Sequence, residues 1–172
     1  MEKNWYVLFV STKNEDKIKA KLISEGFKAF VPKTKLLYRK EGLSKLVTKP
    51  LFPGYIFVES ELDYADFNYA IGNIRNQTLS FLKLLKVDNI GTSVLYPEEK
   101  AYIKQLLNNE LIMEHSTGLI EGDKVIIIDG PLKGLESSIV KIDRHKRRAI
   151  IEVMICSVPT QIKVSLEIIS KV

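Results

Sequence analysis

A chain of 172 residues with 26 lysines and arginines against 21 acids carries a formal net charge of +5, which favours an anionic partner. Its composition, 45% hydrophobic and 27% charged, is that of a folded globular protein and excludes a disordered or fibrous chain. No apolar run approaches the roughly 18 residues needed to cross a bilayer, and the single cysteine, Cys156, excludes an internal disulfide.

The chain length suits one ordinary domain or two small ones. No basic-then-apolar leader opens the sequence, and cysteine poverty fits a reducing compartment, so the cytoplasm is the expected location. Cys156 lies in the apolar run Val153-Met154-Ile155-Cys156, where a buried, inert thiol is expected rather than a nucleophile.

Trp5 to Val10 is a continuous run of aromatic and β-branched residues and reads as a buried strand. A helix follows over Asn14 to Gly26, with Ile18, Leu22 and Ile23 at helical spacing and Gly26 where a C-terminal cap belongs. Phe27 to Val31 alternates as a strand until Pro32 stops it. Lys33 to Pro50 is long and basic, with Lys33, Lys35, Arg39, Lys40, Lys45 and Lys49 against the single acid Glu41. It reads either as a hairpin or as a mobile loop.

Leu51 to Glu59 is the next strand, and Tyr64, Phe67, Ile71 and Ile74 are spaced as one face of a helix. Leu79 to Val87 returns to strand. Pro97 followed by Glu98 and Glu99 opens a helix whose apolar stripe includes Tyr102, Ile103, Leu106 and Leu107. The order β-α-β-β-α-β-α predicts an α+β sandwich of helices on an antiparallel sheet.

The texture changes after Asn108. Residues 109–118 show no clear period and end in Ser116-Thr117-Gly118, the expected linker between a first domain over 1–108 and a second over 119–172. In the second, short β-branched runs (Val125 to Ile128, Ile139 to Ile142, Ala149 to Ile155, Gln161 to Val164) alternate with turns. Such spacing predicts a small SH3-like β-barrel.

The chemistry-bearing residues are aromatic and basic. Trp5, Tyr6, Phe52, Tyr55 and Phe57 fall on two strands expected to pair, and strand alternation forbids them all from facing one layer. Either Trp5 and Phe52 fill the core while Tyr55 faces out, or the reverse. They are the sheet–helix core, or part of them lines a groove for a partner's helices. Lys141, Arg144, Lys146, Arg147 and Arg148, with His145 among them and Asp143 as the only acid, form the densest positive cluster. It falls at a turn between two expected strands, where it is either a solvated hairpin tip or a phosphate-binding patch.

No catalytic or cofactor pattern stands out. His115 and His145 lack the Cys, Asp or Glu spacing of a metal site. Gly130-Pro131 to Gly134 is a turn rather than a phosphate-cradling loop. No enzyme activity, cofactor or metal is expected.

Trp5-Tyr6-Val7-Leu8, Phe52-Pro53-Gly54-Tyr55-Ile56-Phe57-Val58 and Gly122-Asp123 with Asp129-Gly130-Pro131 together resemble the NusG family of transcription factors, across essentially the whole chain. The resemblance implies an N-terminal NGN domain followed by a KOW domain, and a transcription elongation and antitermination factor that rides on RNA polymerase. In the family an apolar surface of the first domain docks the clamp helices of the largest polymerase subunit and suppresses pausing. The matching positions are Trp5 or Tyr6, Phe52, Pro53 and Tyr55.

The chain departs from the general family pattern at three places. Ser137 replaces a glycine of the KOW motif, and Ile155-Cys156-Ser157 stands where a ribosomal-protein contact segment is usual. Asn73-Ile74-Arg75 stands in place of Pro-Gly-Val. These point to a specialised paralogue, most like the LoaP antiterminators, with direct ribosome contact in doubt. A nascent RNA, in particular a hairpin, is the expected ligand of Lys141, Arg144, His145, Lys146, Arg147 and Arg148. Upstream or non-template DNA is a further candidate, near the Lys33 to Lys49 loop or at Arg75, Asn76 and Gln77. The chain is expected to act as a monomer. The competing reading is a ribosome-associated or free RNA-binding KOW protein with the first domain as scaffold.

Overall fold

The computed structural model describes residues 2–77, 81–84 and 94–172, the backbone alone for Phe81–Leu84. The elements run β1 (Asn4–Val10), α1 (Glu15–Ser24), β2 (Lys28–Phe30), β3 (Lys33–Lys40), β4 (Leu43–Pro50), β5 (Tyr55–Ser60), α2 (Tyr64–Gln77), β6 (Phe81–Leu84), α3 (Pro97–Leu106) and β7 (Ile112–Met113). They continue with β8 (Ser116–Glu121), β9 (Lys124–Asp129), β10 (Ile139–Asp143), β11 (Arg148–Ile155) and β12 (Val158–Lys171). The fold is mixed α and β, as the sequence pattern predicts. The rest of the expected Leu79 to Val87 strand lies outside the described residues.

One sheet has the order β2-β5-β1-β6, all antiparallel. β1 and β5 pair with Trp5 opposite Glu59, Val7 opposite Phe57 and Phe9 opposite Tyr55. Pleating sends the intervening Tyr6, Leu8, Val10, Ile56 and Val58 to the other face. There they pack with Ile18 and Leu22 of α1 and Phe67, Ile71 and Ile74 of α2 in a closed core. α2 therefore buries the stripe its spacing dictates, whereas α1 buries Ile18 and Leu22 but leaves Ile23 exposed. Asp63 starts α2, its carboxylate accepting the Asp66 amide at 2.9 Å. Gly26, at φ +90°, ends α1: its amide donates to Ile23 O and that of Phe27 to Leu22 O. Left-handed backbone of this kind is cheapest for glycine.

The basic segment from Lys33 to Pro50 is a hairpin. β3 and β4 pair without interruption from Lys33–Pro50 to Lys40–Leu43, with Glu41 and Gly42 in left-handed conformations at the tip. β3 also pairs in parallel with β7, so the second sheet has the order β4-β3-β7. The third sheet has five strands in the order β10-β11-β12-β8-β9. Ser116, Thr117 and Gly118, expected in the linker, form the first half of β8 and pair in parallel with β12. Sequence texture missed this because a serine-threonine-glycine run reads as a breaker until its neighbours are known.

Compactness separates two units that interleave along the chain. One gathers Met1–Val31, Phe52–Lys100 and Met154–Val158. The other gathers Pro32–Leu51, Ala101–Val153 and Pro159–Val172. The β3–β4 hairpin thus groups with the C-terminal strands, which no sequential division conveys. Among the described residues no helix is long and apolar enough to cross a membrane.

Candidate functional site

The face of the first sheet turned away from α1 and α2 is aromatic. Trp5 meets Phe30 edge-on at 4.9 Å between centroids, Phe30 lies 5.7 Å from Phe57, and Phe57 lies 5.5 Å from Phe52. Phe52 continues to Tyr55 at 6.5 Å and Tyr55 to Phe9 at 5.4 Å. Edge-on and offset contacts of this kind suit the ring quadrupoles. Glu59 closes one end, accepting the Trp5 indole N–H at 3.1 Å and the Lys28 ammonium at 2.8 Å.

The five candidate docking residues divide sharply on this frame. Trp5 and Phe52 are buried at 4% and 1% exposure, Tyr55 is half-buried, and Pro53 is exposed. Tyr6 belongs to the opposite face, where it is fully buried, stacks on Phe67 at 3.9 Å and donates its hydroxyl to Leu62 O. Its place in a docking surface is therefore corrected, because strand alternation commits it to the helix-covered core. Neither alternative left open by the sequence holds outright: Trp5 and Tyr55 share one face, with Trp5 and Phe52 buried and Tyr55 half-buried. Phe9 was missed, although its position four residues after Trp5 puts it on the Tyr55 face.

Gly54 positions the Pro53–Tyr55 corner. Its φ of +85° and the approach of Val10 O to 3.0 Å of a would-be Cβ leave room for glycine alone. Its carbonyl accepts the Val10 amide at 2.7 Å and its amide donates to the buried Glu15 carboxylate at 2.8 Å. The corner is thus tied to both β1 and α1.

The basic cluster forms the turn between β10 and β11, closed by the pairing of Asp143 with Arg148. The Asp143 carboxylate accepts the Lys146 amide at 3.0 Å. That bond, with weaker help from the charges of Lys146, His145 and Lys141, holds the Asp143 carboxyl below its usual range. Arg147, at φ +52°, donates its amide to Arg144 O and its side chain to Glu167 at 3.4 Å. Glu167 also lies 3.7 Å from His115, whose Nδ1 is 2.7 Å from Ser165 Oγ.

The turn therefore splits the cluster. Lys141, Lys146 and Arg148 line one cleft, and His145, Lys146 and Arg148 line a second. Arg147 points to a different neighbourhood with Glu167, and Arg144 is exposed. Lys163 and Tyr38, which line these clefts beside the cluster, were missed because they lie far away in sequence, and Arg39 was read only as part of the separate basic segment from Lys33 to Lys49. Arg75, at the last turn of α2, bonds Asn68 at 2.9 Å, while Asn76 and Gln77 are exposed. Cys156 is buried, its thiol pushed up to about 12 mainly by burial and also by Glu99.

The family model described as "Transcription termination factor nusG" matches residues 3–87, and that described as "KOW motif" matches residues 121–154. The transcription termination/antitermination protein NusG of Bacillus subtilis is 32% identical over 157 residues, 86% of each chain. The chain belongs to the NusG family. The NusG protein of Halalkalibacterium halodurans is 28% identical over 182 residues, the full length of both chains. A solved structure titled "Domain interaction in Thermotoga maritima NusG" overlays with a TM-score of 0.54 at 19% identity, covering 98% of this chain and 95% of that one. At that identity the likeness supports the fold alone. NusG membership makes the chain a transcription termination/antitermination factor, built of an NGN and a KOW part.

Proposed function

We propose that the chain binds the clamp helices of RNA polymerase through the aromatic face of its NGN part and suppresses pausing and termination, acting as a cytoplasmic monomer. Pro53 and Tyr55, with Phe9 beside them, make the direct contacts; Trp5 and Phe52 are the buried floor of the ring row, Phe52 against Tyr55 and Trp5 at the far end. The observation that carries this reading is a continuous row of six rings, from Trp5 through Phe30, Phe57, Phe52 and Tyr55 to Phe9, with Tyr55 half-buried and the neighbouring Pro53 exposed. Aromatic anchors on a packed floor are where interface energy concentrates, and amphipathic helices dock through anchors of this kind. Tyr55→Ala should weaken binding to core polymerase by about 2 kcal/mol while leaving the melting temperature near that of the parent. Phe52→Ala should instead destabilise the fold by about 3–5 kcal/mol. Unchanged polymerase binding by folded Tyr55→Ala removes the assignment.

We further propose that the five-stranded C-terminal sheet closes as an SH3-like barrel and that its β10–β11 turn binds nascent RNA. Such binding would recruit the factor to particular operons in the manner of the LoaP paralogues. Support comes from five lysines and arginines within the eight residues from Lys141 to Arg148, of which Lys141, Lys146 and Arg148 line open clefts. Replacing Lys146 and Arg148 together by alanine should weaken RNA binding and flatten its salt dependence by roughly 0.7–0.9 per lost phosphate contact, while polymerase binding survives. The sequential division into 1–108, a linker over 109–118 and 119–172 is likewise proposed, supported by family matches that end at residue 87 and resume at 121.

A further inference from the structure

The β10–β11 turn has a partner in the β3–β4 hairpin. The guanidinium carbon of Arg148 sits 4.3 Å from the centroid of the Tyr38 ring, and Arg148 Nη2 donates to Leu37 O at 2.9 Å. The Lys49 ammonium lies 4.7 Å from the same ring. A planar cation held against an aromatic face and anchored through one nitrogen has lost most of its freedom before any ligand arrives. Tyr38 is drawn into this arrangement as an acid: a hydrogen bond from Lys49, aided by the charges of Lys49 and Arg148, pulls its phenol below the ordinary range despite partial burial.

Around this pair the surface is cationic. A cleft of about 290 Å³ is lined by Leu37, Tyr38, Arg39, His145, Lys146 and Arg148, without a carboxylate. A smaller cleft of about 110 Å³ shares Lys146 and Arg148 and adds Lys141 and Lys163. The one acid there, Asp143, already accepts the Lys146 amide. Two clefts flanking one pair of cations match a polymer with a regularly repeated anion better than an isolated carboxylate on a protein. Arginine's planar fork is suited to gripping phosphate through two donors.

We propose that the β3–β4 hairpin and the β10–β11 turn form one composite site for the phosphodiester backbone of a nucleic acid. Arg39, Lys146 and Arg148 contact phosphates, and Tyr38 with Lys49 positions the Arg148 guanidinium. The proposal rests on the RNA-binding reading of the turn and extends it to hairpin residues. Phosphate is common to RNA and DNA, and phosphate contacts carry no sequence information, so the site grips either polymer and leaves specificity to shape.

The test uses the full chain, a fluorescent RNA hairpin and a single-stranded DNA, titrated across a salt series. Arg39 is exposed, so Arg39→Ala leaves the fold intact; it should lower affinity and reduce the salt slope by roughly 0.7–0.9. Tyr38→Ala should lower affinity about tenfold by releasing Arg148, while Tyr38→Phe, which keeps the ring, should bind nearly as the parent. Losses should be similar on RNA and DNA. If Arg39→Ala and Tyr38→Ala bind as the parent while the Lys146 and Arg148 double variant fails, the turn acts alone and the composite site is overturned. If that double variant also binds normally, the RNA-binding reading falls with it. Equal losses in Tyr38→Phe and Tyr38→Ala would overturn the positioning role of the ring. Retained nucleic-acid binding with lost polymerase binding would reassign the surface to an acidic protein partner.

Discussion

Glu59 shows how one side chain links the aromatic floor to solution pH. Its carboxyl is held below the ordinary 4.5, first by the hydrogen bond from Lys28 and then by that from Trp5, with burial opposing both. A carboxyl whose folded pKa lies below its unfolded value adds stability that is complete above the unfolded value. That stability is lost as pH falls through the folded value. The chain should therefore lose stability below about pH 4.5 partly through Glu59, and Glu59→Gln should flatten that decline. Urea midpoints of parent and variant measured on either side of this pH check it; parallel curves would show that the carboxylate is not a linked group. At the same scale, Tyr6 and Tyr55 carry similar chemistry to opposite ends. Tyr6 is closed in by Phe67 and the Leu62 carbonyl, whereas Tyr55 keeps part of its ring in solvent.

Among the elements, β8 and the turn after β9 depend most on one another. Gly130 adopts φ +103°, and a Cβ there would fall 2.5 Å from His115 O and from Ser116 Cα and Oγ. Ser116 is fully buried, and its hydroxyl accepts the Leu132 amide at 3.2 Å. Backbone strain and backbone overlap coincide, and neither can be relieved by a side-chain rotation. Gly130→Ala should cost on the order of 3 kcal/mol, read as a drop in the denaturant midpoint. A well-tolerated alanine would mean that the turn is free to shift. The Asp-Gly-Pro turn is thus a packing requirement of the KOW part, independent of any ligand. The β10–β11 turn is the contrasting case, because Lys141, Lys146 and Arg148 face clefts and Arg144 faces solvent rather than a core.

For the whole molecule, the proposed domain boundary has a structural consequence. A fragment starting at Leu119 discards Ser116, Thr117 and Gly118, which pair with Leu166, Glu167 and Ile168 of β12, and it leaves the Leu132 amide without its acceptor. A fragment from Ser116 to Val172 should melt as one β unit by circular dichroism. The version from Leu119 should be less stable by about 2 kcal/mol or more, the cost of an unmet buried donor alone being of order 1–3 kcal/mol. Equal stability of the two fragments would place the boundary where the texture of the sequence changes. An unfolded longer fragment would show instead that the C-terminal strands need the β3–β4 hairpin, with which they form one compact unit.

Local order was legible in the sequence wherever the physics is local. Helical spacing marked α1, α2 and α3, Gly26 marked the end of α1, and β-branched runs marked β1 and β9 to β11, because each depends on residues a few positions apart. The three separated motifs also sufficed for the family. Strand alternation alone put Trp5 and Tyr6 on opposite faces, yet it left open which face the helices would cover. Only tertiary pairing decided that Tyr6 is core, that Trp5 and Phe52 are buried while Tyr55 stays half-buried, and that Ser116 to Gly118 are strand. It also brought Arg148 against Tyr38, 110 positions away along the chain. Burial and contact between distant residues are set by the sum of sheet register and packing, and no window of sequence contains that sum.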